Sequence, residues 1–274
     1  MAGSDLSLVG RMVAIWRYPV KSMMGEELNA IEVTDRGLRG DRAYALVDVE
    51  TGKVVSAKNP RRWPNLFDFR AAYVDEPRDR QSLPAVRIIL PGGEAVTTDQ
   101  ADVESQLSAA VSRQVRLTQS PGQSATSEGY WPDDAWLAQR DEVFEFALPA
   151  GTFFDGAAIH LVTTATLDRL RVLNPASRFE VPRFRPNLVI EPTSEANGFI
   201  ENGWIGRTLV FGDVRLRVDG PCPRCIMTTL SQGSLPKDAG VLRTVVQENA
   251  GNVGVYATVV QGGRVRRGGG VEIF

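Results

Sequence analysis

One histidine and two cysteines are all that 274 residues offer of the most reactive side chains. A Ser-His-Asp or Cys-His engine has a single candidate base, His160. That residue lies in the apolar stretch 157–164, where a satisfied core histidine is expected. Two cysteines make no disulfide framework and point to a reducing, cytoplasmic setting. No run of about 18 apolar residues and no signal or transit segment occurs, so no membrane partner is expected. Lys plus Arg is 31 against 33 for Asp plus Glu, which excludes a nucleic-acid polycation and leaves no nucleic-acid partner. Gly-x-Ser-x-Gly, a Walker phosphate loop and His-Glu-x-x-His are all missing. Gly268-Gly269-Gly270 opens no helix and reads as a turn, and no repeat of fixed period is found.

What is present is short strands. Apolar residues are 43% and charged residues 23%, ordinary for a soluble globular protein, and the length suits one large domain or two packed ones. Strands are expected over 8–16, 28–34, 43–49, 66–74, 86–90, 115–118, 143–148, 157–164, 188–190, 204–211, 214–218, 253–260 and 271–274. Three helices are expected: one capped by Asp99, one opening at Thr163 or Thr164, and one around 241–246. The fold class is mainly β with a few short helices, barrel-like in both halves. Residues 119–134 turn to Ser, Gly, Pro, Gln and acids and read as a linker or mobile loop, dividing domains 1–120 and 121–274.

Both cysteines fall in Gly220-Pro221-Cys222-Pro223-Arg224-Cys225-Ile226-Met227-Thr228-Thr229, between an alternating strand at 214–218 and a β-branched stretch at 226–230 that also reads as strand. Four readings compete. A redox Cys-x-x-Cys normally opens a helix. A structural zinc needs ligands beyond two Cys and one His. Two ordinary thiols, one of them buried, need no function. A single thiolate can ligate a soft metal, with Arg224 favouring the charged form. Lys21, Arg42, Arg61, Arg62, Arg185 and Arg224 sit at loop or strand boundaries. With a threonine-capped helix start they suggest a pocket for a phosphate-bearing anion; the alternative is that each is a solvated surface charge.

Tyr18-Pro19-Val20-Lys21-Ser22, Gly40-Asp41-Arg42, Arg183-Phe184-Arg185-Pro186-Asn187 and Cys222-Pro223-Arg224-Cys225 stand in that order. They resemble the signatures of MOSC-domain proteins, above all the molybdenum-cofactor-binding amidoxime-reducing component family. The resemblance implies an N-terminal MOSC β-barrel domain packed on a MOSC β-barrel domain, with a molybdenum–molybdopterin cofactor between them. It implies that Cys225 binds molybdenum as thiolate and that Cys222 is a neighbour without a ligand role. Lys21, Ser22, Arg42, Thr163, Thr164, Arg185 and Arg224 match positions that hold the pterin and its phosphate, and Asn187 lies in the same signature. The implied activity is reduction of amidoximes and hydroxylamines. Electrons would come from a separate flavin, iron–sulfur or cytochrome-type protein. MOSC domains also occur in cofactor sulfuration, so a carrier with a persulfide on Cys225 or Cys222 is the alternative. Family descriptions further include pyridoxal phosphate binding. A generic anion-binding module is the third reading. The sequence departs from better-known members in having Met23 after Lys21-Ser22, where relatives often carry a further cysteine. The cysteine-rich ferredoxin extension and the membrane segment of some members are not expected here.

Overall fold

The first strand, Ser7–Arg17, turns Met12 and Ile15 into an apolar interior. In the computed structural model, which describes residues 6–78, 81–119, 124–133, 139–193 and 197–274, its partners come from the far end of the chain. It pairs antiparallel with Leu188–Pro192 on one side and Gly270–Ile273 on the other. These pairings close a ring of seven strands: Leu188–Pro192, Ile159–Thr163, Asn252–Gln261, Val214–Pro223, Thr208–Phe211, Gly270–Ile273 and Ser7–Arg17. Closure leaves no unpaired edge within the ring. Ile159–Thr163 and Leu188–Pro192 run parallel, which requires a crossover, and the helix Thr164–Leu173 lies in it. Leu161, Leu188, Leu216, Val255 and Val271 fill the interior. Val162, Val189 and Val253 face outward beneath Leu167, Leu170, Val241 and Val245 of two covering helices. Residues 159–163 are therefore buried on both faces, which is why they read as an unbroken apolar run.

The second body is built from 43–119 and a later hairpin. Ala45–Asp48 pairs with Val115–Thr118; Arg70–Tyr73, Val86–Ile89 and Ala95–Thr97 form a meander; the helix Val103–Val111 covers them. Their core includes Leu46, Phe69, Ile88, Leu107 and Val115. Met23 and Met227 belong to the same cluster. One follows Lys21-Ser22 and the other lies two residues past Cys225, so a single apolar cluster fastens both signature loops. Strands dominate over short helices throughout, the mainly β class expected. Among the described residues no helix is long and apolar enough to cross a membrane.

Three local expectations are corrected. The stretch 119–134 is no simple linker: Thr126–Trp131 is a strand paired with Glu142–Ala147, while 120–123 and 134 lie outside the described residues. Trp131 stacks on Phe144 at 5.1 Å, and a Cβ at Gly129 would stand 2.4 Å from the Phe144 ring. That glycine, a loop signal by composition, is the slot in which a cross-strand ring lies. Residues 226–229 form a turn of 3-10 helix instead of a strand. The Thr228 and Thr229 hydroxyls bond back to the carbonyls of Cys225 and Ile226, closing the turn that β-branching alone would not predict. The first helix has Asp102, not Asp99, at its N-cap; Asp99 accepts from the Thr97 hydroxyl instead.

Candidate functional site

The strand Val214–Pro223 delivers Cys222 to the barrel rim, where its pairing slips between Pro221 and Pro223. Proline cannot donate to a ladder and is tolerated at such irregularities. Cys222 is 1% exposed, and its sulfur accepts from Arg224 Nη1 at 2.8 Å. Arg224 Nη2 donates to the Phe184 carbonyl at 2.9 Å, whereas its Nε is buried without a hydrogen-bond partner. Cys225 is only half-buried. With Arg224 and Lys58 it lines a cavity of about 70 Å³. Arg183 keeps the following loop in place: its guanidinium, buried, donates to the carbonyls of Arg178, Thr228, Leu230 and Pro236 at 2.7–3.2 Å.

A cationic cluster adjoins this loop. The guanidiniums of Arg42 and Arg185 lie over the Tyr18 ring at 4.4 and 4.2 Å. Arg42 pairs with Asp41, and Arg185 donates to the Met23 carbonyl at 2.7 Å. Lys21 donates to the Phe153 carbonyl at 2.9 Å and to Asp155, whose other oxygen meets Lys58 at 3.2 Å. Five cations, Lys21, Arg42, Lys58, Arg185 and Arg224, thus face two carboxylates, Asp41 and Asp155. Ser22, Arg42 and Arg185 have φ of 65°, 47° and 52°, the left-handed region that side chains with a Cβ avoid. Three of the six such non-glycine residues among those described therefore fall in this cluster. Backbone held in that region concentrates where function demands it.

The electrostatics follow from burying like charges together. Burial, then Arg42, brings Arg185 down to about 10, and burial pushes the Tyr18 phenol up to about 12 against the pull of Arg185 and Arg42. Burial also depresses the Lys21 ammonium, even with Asp155 beside it. Asp155 is held well below the usual carboxylate range: burial opposes this, but Lys21 and Lys58 outweigh it. His160 is a buried core residue within reach of the Val253 carbonyl at 3.0 Å, and burial followed by the field of Arg224 brings it down to about 3.

Not every residue picked from the sequence turns toward this cluster. Thr163 caps its helix, accepting from the Thr166 amide, but its hydroxyl donates to Glu201 at 2.7 Å, as does that of Thr166. Glu201 is buried, and burial raises its pKa. The helix start read as an anion site is thus taken by a carboxyl group of the chain's own. Thr164 is the first residue of that helix and half-buried. Asn187 accepts from the His160 amide and donates to Asp41 and the Trp16 carbonyl, and Ser22 Oγ accepts from the Ala57 amide at 3.0 Å. Both brace the backbone around the cations. Arg61 pairs with Asp141, and Arg62 with Asp48 and Glu50, in other ion-pair groups. Lys58 and Asp155 were not singled out by sequence; the basic, proline-bounded loop 58–64 was the one available signal for Lys58. Among the described residues no group of three or more His, Cys, Asp and Glu is placed to hold a metal, so a zinc cage has no ligand set.

A family model described as the MOSC N-terminal beta barrel domain matches residues 9–139, and one described as the MOSC domain matches residues 150–272. Mitochondrial amidoxime reducing component 2 of Rattus norvegicus is 25% identical over 245 residues, 82% of this chain and 68% of that protein. The protein of the same name from Homo sapiens is 27% identical over 259 residues, 86% of this chain and 70% of that one. Molybdenum cofactor sulfurase of Bombyx mori is 34% identical over 80 residues, 28% of this chain and 9% of that protein. The chain belongs to the MOSC-domain proteins, with a MOSC N-terminal beta barrel domain preceding the MOSC domain.

Proposed function

We propose that this protein is a molybdenum-cofactor-dependent oxidoreductase that reduces N-hydroxylated compounds, amidoximes and hydroxylamines, with electrons from a separate protein. The observation that carries the reading is the half-buried Cys225 thiol on a cavity beside Lys58 and an Arg224 whose buried Nε has no partner. A soft thiolate suits molybdenum, and an excess of buried and half-buried cations suits an anionic pterin phosphate. The donor set therefore fits the cofactor. Cys225 would hold the metal; Arg224, Arg185, Arg42, Lys58 and Lys21 would neutralise the phosphate-bearing group; Ser22 and Asn187 would keep their loops in register. The Thr163 hydroxyl is engaged by Glu201, so of the two threonines at the helix start only Thr164 would be left to contribute. Asp155 meanwhile supplies the negative charge that Lys21 and Lys58 require. When bound, the cofactor supplies the two-electron change. The N–O bond of the substrate breaks, two electrons and two protons are taken up, and water leaves. A cytoplasmic location belongs to the same proposal.

The test is to load the protein in a cofactor-making host, add a flavin, iron–sulfur or cytochrome-type electron donor, and follow amidine formation from an amidoxime. Molybdenum-loaded protein that leaves amidoximes and hydroxylamines untouched sinks the reading. A cofactor or sulfur carrier is the second reading, favoured by the likeness to a molybdenum cofactor sulfurase. Its persulfide would form on Cys225, since Cys222 is buried. Intact mass after incubation with a sulfur donor decides: no added sulfur on Cys225 removes it.

A further inference from the structure

Gly268-Gly269-Gly270, a turn by sequence, borders a second cavity at the other end of the strand that delivers Cys222. The first strand fastens this loop: the Met12 amide donates to the Gly269 carbonyl at 2.8 Å, and the Gly268 amide to that of Met12 at 2.7 Å. Gly212, in the turn between Thr208–Phe211 and Val214–Pro223, adds to the rim. A Cβ there would meet nothing within 4 Å, so the chain's own packing leaves the mouth open. Met12, Phe211 and Val265, all members of the barrel core, give the cavity an apolar floor. Its volume is about 250 Å³.

Two cations line this space with nothing to neutralise them. Arg264 and Arg266 flank Val265 on the strand Gly263–Arg266, and the Val265 side chain is in the core. Alternation sends both arginines to the opposite face, with Cβ atoms about 7 Å apart. Both are exposed, and among the described residues neither side chain makes an ion pair or a hydrogen bond. Neighbouring carboxylates are engaged elsewhere. Glu32, across the ladder from Arg264, holds Arg39 at 2.6 Å; Glu27 meets Arg267, and Glu191 meets Arg11. Asp213 approaches Gly263 without lining the cavity.

We infer that this cavity binds a phosphate monoester with a small apolar body, at a site separate from the cofactor. One guanidinium fork saturates the two oxygens of a carboxylate. A phosphate monoester offers three terminal oxygens and up to two charges, enough for both arginines. The floor takes the apolar body, and a volume below the usual span of about 300–1,000 Å³ limits that body to a single ring or a short alkyl chain. From Val214 to Cys222 the strand covers about 26 Å, which keeps the ligand away from the cysteine loop.

The test is calorimetric titration of the full chain with phenyl phosphate, inorganic phosphate and benzoate, before and after cofactor loading. A saturable site for phenyl phosphate is expected in both forms. Inorganic phosphate lacks the apolar body and benzoate the third oxygen, so each should bind about tenfold more weakly or worse. Arg264→Gln and Arg266→Gln, at exposed positions outside the core, should each weaken phenyl phosphate by about tenfold or more. Arg42→Gln should leave it unchanged. Affinity lost in Arg42→Gln, or on cofactor loading, would place the ligand in the cationic cluster beside Cys225 and overturn the inference. So would benzoate or inorganic phosphate binding as tightly as phenyl phosphate, affinity indifferent to both Arg264→Gln and Arg266→Gln, or no saturable binding.

Discussion

Arg224 reaches back two residues to the Cys222 sulfur at 2.8 Å, and this contact sets the two cysteines apart. Cys222 is enclosed, held to a guanidinium, while Cys225 lies half-buried at the cavity. An aromatic disulfide reagent should therefore find one fast thiol in the native protein and a second only on unfolding. Cys225→Ser should abolish the fast phase, and Cys222→Ser the slow one. Cys222→Ala should cost about 1–3 kcal/mol, because a buried charged donor loses its acceptor. Two thiols reacting at equal rates would contradict the assignment.

Asp155 is the carboxylate shared by Lys21 and Lys58. The Lys21 side chain is 4% exposed, so Asp155→Ala leaves a buried ammonium unpaired and should cost about 3 kcal/mol in thermal or denaturant unfolding. Inorganic phosphate should restore part of that loss in the variant and do little for the wild type. Equal phosphate effects in the two proteins would mean that the cluster does not select anions.

His160 sets a pH dependence. Its pKa falls from 6.5 to about 3 on folding, so between those values the unfolded chain binds the proton and the folded chain does not. Stability is then full above about pH 6.5 and declines as pH falls toward 3. The loss from pH 8 to pH 5 should be about 2 kcal/mol from this group. As His160 is the chain's one histidine, a folded His160→Gln variant should show a flatter profile over this range. An unchanged slope would refute the buried neutral state.

Arg183 looks interchangeable with Arg185 in the sequence, yet it has a different task. Its planar fork ties four carbonyls across Arg178, Thr228, Leu230 and Pro236. Arg183→Lys cannot reproduce that fork and should cost about 2–4 kcal/mol. Hydrogen exchange should quicken first in the amides after Cys225. Exchange confined to other regions would argue against the clamp.

How far the sequence reached can be seen residue by residue. Alternation exposed the barrel strands, and the threonine cap marked the helix Thr164–Leu173, because both depend on local pattern. Of the boundary cations visible as a set, Tyr18, Asp41 and Asp155 gather Lys21, Arg42 and Arg185, whereas Arg61 and Arg62 belong to other ion-pair groups. Nothing local announced that Glu201 would occupy the helix start, since its burial arises from distant packing. The left-handed backbone at Ser22, Arg42 and Arg185 carried no glycine to flag it. Polar composition concealed the hairpin that stacks Trp131 on Phe144. Closure of the barrel by the first strand is likewise a long-range pairing.

The central claim is that Cys225 holds a molybdenum–pterin cofactor in this chain. The direct measurement is molybdenum and pterin content of protein purified from a cofactor-making host, wild type beside Cys225→Ala and Cys222→Ala. Near-stoichiometric metal and pterin in wild type and Cys222→Ala, with metal lost or its absorption altered in Cys225→Ala, is the predicted result. Well-folded wild-type protein without molybdenum, or metal binding indifferent to Cys225, would contradict it.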